Sequence, residues 1–159
     1  RALLERALAI NERTFGPDHL DVARNLANLA ALNHRADDHA IALARYERVL
    51  AIREKALGSD HIDVALALSS VAYVLLDLRR DRDAIPLLER AMTIFATHEG
   101  IQYGELTVKY GLATALFFTK GDRARVLALV TEVRDGARDS GDAAMQAEAE
   151  KFLTGNGLQ

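Results

Sequence analysis

The chain has 159 residues, half of them apolar, and its 20 basic and 23 acidic residues leave a formal charge of −3. That length and apolar share support one domain with a real core and exclude a disordered tail, while the near-balance of charge removes the electrostatic case for nucleic acid or an anionic membrane surface. Cysteine is absent, which excludes disulfides, thiolate metal sites and a cysteine nucleophile together and leads us to expect a cytoplasmic setting.

Residues 6–47 recur in much of their detail at residues 48–89, an offset of 42 residues, and a fainter copy starts at Arg90, with Gly16, Gly58 and Gly100 in one register. Self-similarity at a period between about 20 and 50 residues marks a solenoid, whose units cannot bury their apolar faces alone. In chain order, residues 1–15 read as the second helix of a truncated repeat, because residues 3–10 match residues 87–94 at twice the period. Its apolar edge of Leu3, Leu4, Ala7 and Leu8 lacks the partner helix that a full unit would supply. The start at Arg1, with no initiator methionine and no signal-peptide pattern, leads us to expect a piece of a longer protein.

Residues 16–57 form the first full repeat and residues 58–99 the second. Val22, Leu26, Leu29, Ala30 and Leu32 follow a helical rhythm, and after a polar break Ile41, Leu43, Tyr46, Val49, Leu50 and Ile52 follow it again, so each unit is a helical hairpin. The breaks fall at residues 35–39, 79–83 and 120–123, and each offers an Asp (Asp37 or Asp38, Asp81, Asp122) to cap the second helix. Between units runs Gly-x-Asp-His-x-Asp-Val-Ala, at residues 16–23 and 58–65. Here Gly suits the left-handed conformation that ends a helix, Asp18 and Asp60 are the expected caps, and Asp21 and Asp63 favour the positive helix N-terminus. Pro86 stands early in a helix, where the missing N–H costs little and a local bend can form. Residues 100–137 are a divergent third repeat that keeps the glycine of its opening turn, and residues 138–159 a capping helix and tail, with Met145, Ala149, Phe152 and Leu153 inward.

No phosphate-binding loop, His-Glu-x-x-His helix or Gly-x-Ser-x-Gly elbow occurs, and the apolar runs at residues 71–76 and 115–118 fall well short of the roughly 20 residues that span a bilayer. Asp18-His19 with Asp21, and Asp60-His61 with Asp63, have the chemistry of metal ligands or an acid–base pair, but recurrence at the repeat offset makes them duplicated caps. His34 and His39 straddle a turn without a third ligand in sequence, and His98-Glu99 has no companion, so no metal or cofactor is expected. Residues 77–83 interleave Arg79, Arg80 and Arg82 with acids that cancel much of their field, and read as a solvated turn.

Leu26, Leu29, Ala30, Ala42, Tyr46 and Val49, repeated as Leu68, Val71, Ala72, Ala84, Leu88 and Ala91, resemble the tetratricopeptide repeat. The 42-residue period, with Tyr-Glu-Arg or Leu-Glu-Arg, Ala-Ile-x-Glu, x-Asp-His and Asp-Val-Ala in register, is similar to the kinesin light chain variety over residues 1–137. In the third unit Tyr110, Ala113, Thr114, Phe117, Gly121 and Val126 fill the same slots. A fainter resemblance, carried by residues 147–153, is to the C-terminal regions of large bacterial Ser/Thr protein kinases and multidomain signalling proteins, which would put any catalysis outside this chain.

The resemblance implies an all-α, right-handed α-solenoid whose first helices line a concave groove for a protein or peptide partner. Mapped by register, that groove carries Arg24, Asn28, His34 and Arg35, then Ser69, Ser70, Tyr73 and Leu76, then Val108, Leu112 and Phe118, passing from polar and basic to apolar. With Val108 and Leu112 in the third unit, the family's clamp for a C-terminal carboxylate is not expected. Tyr73 and Phe118 are either partner anchors or packing between hairpins, and Leu66, Leu76 and Val108 share that ambiguity. The function implied is a non-catalytic interaction module. The competing reading is a structural or regulatory spacer, without a peptide ligand, that packs on a missing N-terminal domain or self-associates through Leu3, Leu4, Ala7 and Leu8.

Overall fold

The computed structural model describes residues 2–98 and 102–158. Among these it contains helices and no strand, in the order α1 (Ala2–Phe15), α2 (Leu20–Arg35), α3 (His39–Leu57), α4 (Ile62–Asp77), α5 (Asp81–Ala96), α6 (Gln102–Phe118), α7 (Arg123–Ser140) and α8 (Ala143–Gly155). Each helix packs on the next in the chain, and α4 also touches α6. The hairpins are therefore α2–α3, α4–α5 and α6–α7, with α1 before and α8 after them, stacked as an α-solenoid. Gly100 and Glu99 lie outside the described residues.

The repeated apolar slots are the core. Leu26, Leu29, Ala30, Ala42, Tyr46 and Val49 are buried, and so are Leu68, Val71, Ala72, Ala84, Leu88 and Ala91 one unit on. One continuous cluster runs from Ala30 to Leu158, and a smaller one joins Val22, Leu26, Val49, Ile52 and Ala67 beneath Leu8. Helix α1, packed on one side only, has no buried residue, and its Leu3 is 83% exposed. At the other end Ala149 and Leu153 of α8 are buried and Met145 and Phe152 pack against the core, as expected of a cap. Helix α7 runs on to Ser140, past the expected boundary at residue 137, and stops at Gly141 in the left-handed region with φ 76°.

The turns before α2 and α4 depend on glycine, and in their Asp-His pairs the histidine, rather than the expected aspartate, makes the cap. Gly16 and Gly58 have φ 87° and 88° and carry the chain out of α1 and α3. At Gly58 ψ is 161°, so the residue lies beyond the left-handed helical region expected, in an extended mirror-image region open essentially to glycine alone. The caps of α2 and α4 are His19 and His61, whose Nδ1 atoms accept from the N–H of Asp21 at 3.2 Å and of Asp63 at 3.1 Å. Asp18 and Asp60 do not cap. The Asp18 carboxylate pairs instead with Lys55 Nζ, which lowers its pKa, and Asp60 accepts from the Ser59 hydroxyl.

Within the hairpins, Asp37, Arg79 and Lys120 each stand at positive φ, between 56° and 59°. The following N–H then reaches back five residues in each turn, from Asp38 to Asn33 O, Arg80 to Leu75 O and Gly121 to Leu116 O, the closure of a Schellman turn. Only Asp122 caps through its side chain as expected, accepting from the N–H groups of Ala124 and Arg125. Asp38 occupies the cap position of α3, but its carboxylate accepts from the Asn33 amide and makes no cap bond. At α5 the cap position is Arg80, and Asp81 is already the first helical residue.

Long side chains tie the second helices together. Arg48 bonds Glu12 Oε1 at 2.6 Å and the Pro17 carbonyl, and one unit on Arg90 bonds Glu54 and the Ser59 carbonyl. Lys109 of α6 joins Glu105 at 2.7 Å and Glu132 of α7 at 2.9 Å. Burial alone would lower the Lys109 pKa, but the two carboxylates more than offset it and the net shift is upward.

Substituting Gly58→Ala meets no atom within 4 Å and should still destabilise the array by about 1–3 kcal/mol through backbone strain. In urea titrations Gly155→Ala, equally open and at ordinary φ, should cost far less. Because the folded pKa of Lys109 lies above 10.5, its stabilisation is complete below that pH and is lost as pH rises through the folded value. Unfolding free energy measured from about pH 9 to about pH 12 should therefore fall more steeply in the parent chain than in Lys109→Met.

Candidate functional site

Helix α4 reaches α6 directly, whereas no comparable packing joins α2 to α4, α3 to α5 or α5 to α7 among the described residues. These two first helices therefore lie side by side on one side of the stack. On it, between α4 and α6, opens a cleft of about 210 Å³ lined by Leu66, Ser69, Ser70, Tyr73, Phe95, Gly104, Thr107 and Val108.

Sequence spacing dictates these positions. Leu66, Ser69, Ser70 and Tyr73 lie three, four and seven residues apart and so share one face of α4. Leu66 is 43% exposed. The hydroxyls of Ser69 and Ser70 donate to the carbonyls of Ala65 at 2.7 Å and Leu66 at 2.9 Å, which leaves their oxygens able to accept. Tyr73 reaches across to α6 and donates to the Thr107 carbonyl. It can do so because residue 111 is glycine: a Cβ there would stand 3.1 Å from the Tyr73 hydroxyl. Tyr73 is thus chiefly packing between hairpins, with its ring as one wall of the cleft.

The residues expected in the groove are divided among four places. Ser69, Ser70, Tyr73 and Val108 meet in the cleft, Val108 only as its buried floor. Leu112 is fully buried against the core and offers a partner nothing, a correction that follows from its position on the side of α6 facing the neighbouring helices. Leu76 is half-buried and packs on the same core. Arg24 and Asn28 are exposed further along α2, Arg24 in an ion pair with Asp21 at 2.7 Å, and Arg35 is exposed where α2 ends.

The fourth place is the edge formed by the hairpin turns, and it takes Phe118 and His34. Phe118, the last residue of α6 and 48% exposed, lies beneath the Arg79 guanidinium at 4.2 Å and beside Phe117. Phe118 and Arg79, together with Arg80, Arg82 and Lys120, border a second cleft of about 540 Å³. Within the run of residues 77–83, residues 79–83 are thus the wall of a cleft, and Arg80 among them pairs with Asp83 at 2.8 Å. His34 Nε2 hydrogen-bonds Asp77 Oδ2 at 2.5 Å, a partner 43 residues away that nothing in sequence pointed to.

The family model of the tetratricopeptide repeat matches residues 1–55 and 28–97. The chain belongs to the tetratricopeptide repeat family. Two crystal structures of a putative kinesin light chain from Podosopora anserina, with nearly identical TPR-like repeats, superpose with TM-scores of 0.81 and 0.79. Each is 21% identical to this chain, covers 99% of it, and is itself covered to 77% and 78%. At that identity the likeness establishes the fold, the α-solenoid of helical hairpins that the 42-residue period implied. No curated protein matches the chain. None of the described helices is long and apolar enough to cross a membrane.

If Tyr73 serves chiefly to dock α4 on α6, Tyr73→Phe should cost about 0.5–1.5 kcal/mol in urea denaturation for the lost hydroxyl bond. Ser70→Ala, whose bond is made to its own helix, should change stability by less than about 0.5 kcal/mol.

Proposed function

We propose that this tetratricopeptide array is a non-catalytic module that holds an extended peptide or a partner helix on its concave face, seated over the cleft between α4 and α6. The observation that carries the proposal is the lining of that cleft. It joins apolar walls from Leu66, Tyr73 and Val108 to hydroxyls from Ser69, Ser70 and Thr107, and it holds no carboxylate, imidazole, amine or thiol. Such a lining can take an apolar side chain and bond the backbone beside it. It has no group able to move a proton or attack a carbonyl at neutral pH. Arg24, Asn28 and Arg35 continue the concave face along α2 as a polar and basic approach, so the preferred partner pairs an apolar anchor with acidic residues on one side of it.

The proposal is tested by selecting binders from a random peptide display library and measuring their affinity by fluorescence polarisation. Ser70→Arg, which fills the cleft, and Leu66→Glu, which charges its rim, should each weaken the selected peptides at least about tenfold, the loss of one central contact of about 1.4 kcal/mol. Glu47→Lys, on the exposed side of α3, should leave affinity unchanged. Equal binding by parent, Ser70→Arg and Leu66→Glu would remove the cleft from the interaction.

A further inference from the structure

We infer that His34, His39 and Asp77 form a binding site for a divalent transition-metal ion of the zinc class, which fastens the first repeat to the second at the hairpin-turn edge. The three residues come from three helix ends: His34 from the last turn of α2, His39 from the first residue of α3, and Asp77 from the last residue of α4. One ligand atom from each lies within 4.8 Å of the other two. In sequence the two histidines lack a third ligand. The stacking of the repeats supplies it from the neighbouring unit.

A hydrogen-bonded pair of His34 and Asp77 accounts for only part of this cluster. The His39 ring meets the His34 ring edge-on with centroids 5.5 Å apart, and its Nε2 stands 3.7 Å from Asp37 Oδ1. Its Nδ1 is buried and has no hydrogen-bond partner among the described residues. Burying an imidazole nitrogen unsatisfied is costly. Coordination through Nδ1 would satisfy that atom and leave Nε2–H facing the Asp37 carboxylate, the outer partner that orients metal-bound imidazoles.

The chemistry of the set selects the ion. Two imidazoles and one carboxylate suit zinc, cobalt or nickel and disfavour calcium and magnesium, which take oxygen ligands. Tetrahedral bonds of about 2.0–2.1 Å require ligand atoms about 3.3 Å apart. His34 and Asp77 must therefore part slightly from their present 2.5 Å, and their side chains, 29% and 50% exposed, have the freedom to do so. Water completes the fourth position from the open side. The bound ion would fix the rotation of α4 against α2, and so the curvature of the concave face, whatever that face binds.

Isothermal titration calorimetry of the whole chain with zinc chloride tests this. The expected result is one zinc per chain at micromolar affinity or tighter, weakened at least about tenfold by His34→Gln, His39→Ala or Asp77→Asn, the loss of one ligand. His98→Gln, at a histidine that bonds its own helix carbonyl, should bind zinc as the parent does. Cobalt binding should give the intense visible absorption of a tetrahedral site in the parent and lose it in His39→Ala, with circular dichroism showing that the variant keeps its helices. Absence of zinc binding at millimolar metal, equal affinity in the parent and the three ligand variants, or an octahedral cobalt spectrum would each overturn the proposal.

Discussion

No hairpin in this protein can bury its own apolar surface, and the array exists because each first helix is sandwiched between second helices. Helix α4 shows the constraint most plainly. Val64, Ala65, Ala67, Leu68, Val71, Ala72, Val74 and Leu75 are all buried, on more than one face, because α3, α5 and α6 pack around it. At roughly 1.5–3 kcal/mol for each large apolar side chain removed from water, those neighbours supply most of what holds α4 helical. Stability therefore passes from unit to unit, as expected of a chain of nearest-neighbour interfaces. Helix α1, packed on α2, has no buried residue, whereas α8, packed on α7, buries Ala149 and Leu153.

The same stacking sets the spacing of the helices. On one side α4 and α6 touch, and on the other long side chains reach from one second helix to the next, as Arg48 does to Glu12 and Arg90 to Glu54. Such exposed ion pairs contribute little energy one by one. Their use here is geometric. Each arginine also bonds a carbonyl in the turn between units, at Pro17 or Ser59, so the spacing of adjacent second helices is specified twice. The cleft between α4 and α6 lies where two first helices of adjacent hairpins meet.

Chemistry-bearing residues gather at the turns because the helices themselves are committed to packing. The three intra-hairpin turns adopt one backbone form, with Asp37, Arg79 and Lys120 at positive φ although none is glycine. This conformation costs each of them about 1–2 kcal/mol, and the back-bond over five residues that it permits offsets part of that cost. The turns thereby project their side chains along a single edge. Arg79 stacks on Phe118, and His34 and His39 meet Asp77. The cleft between α4 and α6 and the turn edge are consequently two surfaces with different chemistry, one apolar and hydroxylic, the other charged and bearing the His34 and His39 imidazoles.

By itself the sequence determined the helices, their pairing and their core, since the spacing of Leu26, Leu29 and Ala30, and its echo at Leu68, Val71 and Ala72, is a property of single helices repeated at a fixed offset. Periodicity reports which face of a helix is apolar. It does not report how far a neighbour's side chain reaches. Hence the helix caps fell to His19 and His61 once Lys55 and Ser59 had claimed the aspartates, and Leu112 went to the core while Phe118 went to the turn edge. Tyr73 was legible as an aromatic in the groove, but its hydroxyl bond to Thr107 depends on the space left by Gly111 on the next hairpin. Asp77 meets His34 for the same reason: the rise and turn from one unit to the next are decided by packing between hairpins, and only the tertiary structure contains that packing.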